Sequence, residues 1–145
     1  MKEQACNTLD GSYEESYQLL PYYCEQIESI NPNSMAKLEY DPDTKKFERI
    51  FVSYGGSITG FTHCRPILGL DGTHLKGKYL GTLLCATAVD ASGVLFPVAF
   101  GVINAENNDN WLWMLQHLRR IISLHAPIHL EKPSDLVIFL TARKA

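Results

Sequence analysis

At 145 residues, 46% of them apolar, the chain has one domain's bulk and enough material for a real core. A formal net charge of −3 argues against a strongly basic, free-standing nucleic-acid binder, and no long uncharged apolar run marks a transmembrane helix. Residues 1–43 carry nine acids and two bases, a balance of −7, whereas residues 44–145 carry seven acids and eleven bases, a balance of +4. The mildly basic remainder suits phosphate contact or plain solubility.

Residues 1–10 read as a frayed start without the apolar core of a signal peptide. An intracellular protein, nuclear or cytoplasmic, with reduced thiols is the expectation. None of Cys6, Cys24, Cys64 and Cys85 forms a C-x-x-C pair, so the spacing does not point to a structural zinc site. His63 and Cys64 are neighbours that a strand would turn to opposite faces.

Ser12 followed by Glu15 fits a capping box at a helix start. Tyr13, Tyr17, Leu20, Cys24, Ile27 and Ile30 then recur at helical steps, and Pro21 should kink or split that helix. Its tyrosines suit base stacking or, more commonly, packing. Met35–Tyr40 and Phe47–Val52 alternate around the turn chemistry of Asp41-Pro42-Asp43-Thr44, which predicts an antiparallel hairpin. Residues 53–60 read as a Gly/Ser-rich loop, and the boundary between a preamble (1–60) and a main domain (61–145) is expected there.

The main domain opens with an apolar strand over Ile67–Leu75. Gly77 marks a turn, a second strand runs from about Tyr79 to Val89, and Asp90-Ala91-Ser92-Gly93 makes a tight turn into a third strand, Val94–Ile103. The three form an antiparallel meander whose second strand reads as central and covered. Asn108 or Asp109 is the expected cap of a helix whose apolar face runs through Trp111, Met114, Leu115, Leu118 and Ile122. Arg119 and Arg120 suit its C-terminal dipole, with DNA contact as the alternative. Leu136–Leu140 is a short, continuous apolar run, the mark of a buried strand.

The first strand runs into Asp71-Gly72-Thr73-His74-Leu75-Lys76-Gly77-Lys78-Tyr79. A carboxylate ending an apolar run needs a partner or a metal, although Asp-Gly is also common turn chemistry. This stretch joins Cys64-Arg65-Pro66, Asp90, Pro97-Val98-Ala99-Phe100, Glu106-Asn107 and Trp111-Leu112-Trp113 in a fixed order. In these motifs the chain from Phe61 to Ile122 resembles the transposase domain of Mutator-like elements (MULE transposases).

The resemblance implies a ribonuclease H-like fold of mixed α/β (α+β) type. In this chain it would be truncated: a meander, a helix and a parallel fourth strand, preceded by a helix and a hairpin. It also implies DNA cutting and joining with two Mg2+ or Mn2+ ions held by Asp, Asp and Glu. Asp71 takes the first ligand position. The second aligns with Ala142, whose methyl group ligates nothing, and the third is expected beyond Ala145.

Other residues are weighed for the site. Glu106 follows the third strand and either leans toward Asp71 or sits at the next helix N-terminus, the preferred role. Asp90 reads as a turn residue, and His74 as a metal candidate that alternation turns away from Asp71. Lys76 and Lys78 suit DNA phosphates or a plain hairpin tip. Two functions follow: an inactive fragment of a DNA transposase, or a non-enzymatic interaction module that pairs with itself, a full-length transposase or a host protein. Neither involves a membrane.

Overall fold

A computed structural model describes residues 13–76, 80–125 and 136–141. In chain order the described elements are α1 (Tyr13–Gln18), α2 (Leu20–Ile30), β1 (Met35–Tyr40), β2 (Phe47–Ser53), α3 (Gly55–Phe61), β3 (Ile67–His74), β4 (Thr82–Val89), β5 (Leu95–Ile103), α4 (Asn108–Leu124) and β6 (Val137–Thr141). The strands make one mixed sheet in the order β1-β2-β5-β4-β3-β6. The β3-β4-β5 meander is antiparallel, and β6 lies parallel to β3.

The hairpin of β1 and β2 extends this same sheet, because β2 pairs antiparallel with β5. The sheet therefore runs without a break across residue 60.

Two layers cover the sheet unequally. On one face α3 and α4 enclose the main core, with Phe51, Phe61, Leu68, Leu84, Ile103, Met114 and Leu118 almost wholly buried. On the other, α2 lays Cys24 and Ile27 over Ala36, Ile50 and Val52, with Phe100 and Val102 at the margin. This second layer stops at β5.

The β4 strand alternates buried and half-buried residues, so it is covered on one face rather than two. Its small residues, Ala86 and Ala88, face the helical layer, which explains the composition without a second cover.

Pro21 does split the first helix. Gln18 ends α1, and α2 restarts with the proline in its first turn, where a missing N–H costs nothing. Ser12, the expected cap, lies outside the described residues.

The Gly/Ser-rich stretch expected as a loop forms α3 instead. Ile58 and Phe61 are buried in the main core, which overrides weak helix propensity. Gly55 is required there: a Cβ would sit 2.0 Å from the Pro32 carbonyl oxygen. Its own N–H donates to Ser34 Oγ at 2.8 Å.

The α4 cap falls one residue earlier than expected. Asn107 accepts from the Asn110 backbone N–H at 2.9 Å, and Asp109 sits in the first turn.

Candidate functional site

Strand alternation assigns Asp71. Leu68 and Leu70 enter the core, so Gly69 and Asp71 point to the other face, beyond the reach of α2. Asp71 is half-buried there. Its register partners are Cys85 on β4 and Thr141 on β6, and Phe100 on β5 lies opposite Cys85. Burial pushes the Cys85 thiol above its ordinary pKa, and the neighbouring Asp71 charge raises it further.

Glu106 belongs to a different cluster. Its carboxylate accepts from the Trp111 indole N–H at 3.3 Å and lies 3.8 Å from His74 Nε2. The other ring nitrogen of His74 is 3.3 Å from Thr82 Oγ1. His74 and Asp71 face opposite sides of β3. Glu106 therefore sits before the α4 N-terminus, as preferred from sequence, and also leans toward β3, although to His74 rather than to Asp71.

The remaining candidates separate clearly. Lys76 is exposed just after β3, while Lys78 and Ala142 lie outside the described residues. Asp90 is a turn residue: its carboxylate accepts the Val94 backbone N–H at 2.9 Å. Arg119 borders a groove between α4 and β6 that is walled by Leu115, Leu118, Leu136 and Ile138. Tyr17 packs edge-on against Phe47, with ring centroids 4.9 Å apart.

Sequence reasoning missed a polar cluster where α4 crosses the hairpin. Glu39 accepts from Arg49 Nε at 2.7 Å and from the Trp113 indole at 2.8 Å. The Arg49 guanidinium lies over the Trp113 ring, 4.9 Å from its centroid, and donates to Asn110 Oδ1. Burial pushes the Glu39 carboxyl up, but hydrogen bonds from Arg49 and Trp113 outweigh it and hold it below the ordinary range. His117, stacked on Phe51, is pushed down by burial and by nearby Lys37. The opposite charges of Glu39 and Arg49 across the predicted hairpin were the available signal.

The comparisons agree with the motif reading. Residues 67–135 match the MULE transposase domain. The match supports a MULE-type transposase domain over these residues. The match includes Asp71 and ends before β6. Protein FAR1-RELATED SEQUENCE 5 of Arabidopsis thaliana is 28% identical over 134 residues, which is 91% of this chain and 17% of that relative. The chain thus spans about a sixth of the length of that relative. No solved structure matches it. Among the described residues no helix is long and apolar enough to cross a membrane, which leaves β-barrels unaddressed.

The chemistry that the resemblance implies calls for two hard divalent ions about 3.5–4 Å apart, bridged by carboxylates. The row around Asp71 offers a protonated thiol and a phenyl ring, neither a donor for such an ion. Among the described residues no group of three or more His, Cys, Asp or Glu could hold a metal ion. The described part of the MULE-type domain does not fit a two-ion centre.

Proposed function

We propose that this MULE-type domain has a ribonuclease H-like fold and contacts DNA without cutting or joining it. The strand order β5-β4-β3-β6, with an antiparallel meander and a parallel fourth strand, supports the fold. One observation carries the functional reading. Asp71 is paired with Thr141, and the next residue in the sequence is Ala142. In the sequence an alanine takes the position at which the resemblance calls for the second carboxylate.

Asp71 is then a surviving ligand position that does not hold Mg2+ or Mn2+ tightly. Contact with DNA is weak and electrostatic, through lysines such as the exposed Lys76 and, from the sequence, Lys78, and belongs in the nucleus. The test is incubation of the 145-residue chain with duplex and single-stranded DNA in Mg2+ or Mn2+. No cleaved or joined product is expected. Product that forms with the natural sequence and disappears in Asp71→Ala overturns the proposal.

A second reading, an interaction module descended from a transposase, is favoured by β6. Its Phe139 and Leu140 are 57% and 61% exposed at the sheet's open edge. An apolar strand edge invites pairing with another chain.

A further inference from the structure

We infer that a groove beside α1 holds one nucleotide of a single DNA strand, an inference that rests on the DNA-contacting reading. Tyr17, Phe47, Leu80 and Val102 line a cavity of about 610 Å3 with Lys45 and Lys46 on its rim. A neighbouring apolar cavity of about 220 Å3 shares Tyr17, Phe47 and Val102 and adds Leu20 and Leu75. The larger cavity lies within the range of about 300–1,000 Å3 typical of small-molecule sites.

Three features select the ligand. The walls are aromatic and aliphatic, which suits the faces of a base rather than a sugar. The rim is cationic, which suits phosphate. One acid of the adjoining turn is engaged elsewhere: the Asp41 carboxylate accepts the backbone N–H groups of Asp43 and Thr44 at 2.9 and 2.8 Å. Leu80, 79% exposed, stands at the mouth as an apolar side chain with no role in either core.

Strand register relates the groove to Asp71. Val102 pairs with Leu83, which pairs with Thr73, so all three lie one row along the same sheet face from the Asp71–Cys85–Phe100 row. Strand spacing and rise put Val102 and Asp71 about 12 Å apart, two strands across and two residues along. A single strand seated in the groove by one base would run along β4 to β3.

Short single-stranded and duplex oligonucleotides carrying 2-aminopurine provide the test, at low salt, with anisotropy reporting binding and base fluorescence reporting stacking. Single strands should bind with quenching and more tightly than duplex. Lys45→Glu with Lys46→Glu should weaken them about tenfold. Leu80→Ser should reduce the quenching with a smaller loss of affinity, and circular dichroism should show both variants folded. If single strands bind but neither variant changes affinity or quenching, the groove assignment falls while DNA contact stands. If duplex binds as tightly and is equally weakened, the single-strand assignment falls. If neither oligonucleotide binds, the DNA-contacting reading falls and the groove falls with it.

Discussion

The two edges of the sheet are finished in opposite ways. At the β1 edge, Ala36 is buried beneath α2, and its backbone N–H is taken by the Glu28 carboxylate at 3.1 Å. The same carboxylate pairs with Lys37 at 3.3 Å. At the β6 edge, Val137 through Leu140 are all substantially exposed. The difference shows that α2 and the hairpin close one side of the sheet from within the described chain. The other side is held by its pairing to β3 and leaves its apolar side chains to solvent.

The largest expected contrast compares two phenylalanines. Phe51→Ala, on a fully buried β2 residue, should cost about 3–5 kcal/mol. Phe139→Ala on β6 should cost well under half of that. Urea melts of both variants check this, and equal losses would break the comparison.

Next is the cluster that ties the hairpin to α4. Glu39→Ala leaves Arg49 and the Trp113 indole without their acceptor. With Glu39 partly open to solvent, the loss should be about 1–2 kcal/mol by thermal melting. Smaller again is Glu28→Ala, which uncaps the β1 edge and should cost about 0.5–1 kcal/mol.

Acid should weaken the hairpin side before the β6 side. His117 is held below its ordinary value of 6.5, and Glu39 below 4.5. For such groups the stabilisation is complete above the unfolded value and is lost as pH falls through the folded one. Melting temperature should therefore fall as pH drops below about 6.5, from His117, and again below about 4.5, from Glu39. In His117→Phe the first fall should disappear.

The smallest stability effect is expected at the open edge. Leu140→Lys should change stability by no more than about 0.5 kcal/mol. It should nevertheless shrink any concentration-dependent larger species in sizing chromatography. An unchanged elution profile that depends on concentration would show that β6 is not the contact.

Much of this architecture was legible from residue patterns. Alternation and turn chemistry gave the hairpin and the meander. The continuous apolar run at Leu136–Leu140 signalled a strand but not its surroundings: the expected burial is absent, with Val137 to Leu140 all exposed, while the family resemblance signalled its parallel pairing with β3. What escaped depended on tertiary partners. The Gly55–Phe61 helix was hidden because its glycines signal a loop, and only the fit of Ile58 and Phe61 into the core makes it a helix. The hairpin's place in the main sheet was hidden because no local pattern specifies that β2 meets β5. At the candidate site, alternation correctly separated His74 from Asp71. It could not show that Glu106 would turn to His74, because that depends on how Trp111 enters the first turn of α4.

The pairing of β2 with β5 also has a temporal consequence. The hairpin is synthesised first, yet its partner strand follows only after α3, β3 and β4. In that interval α2 can already cover Ile50 and Val52, but Phe51 has neither β5 beside it nor α4 above it, so a nascent hairpin carries unprotected apolar surface on that face. The meander, by contrast, joins neighbours in sequence and closes with little loop entropy. Slowing the arrival of β5, or impairing its pairing edge, would therefore harm the hairpin most, although the altered residues lie far from it in the chain.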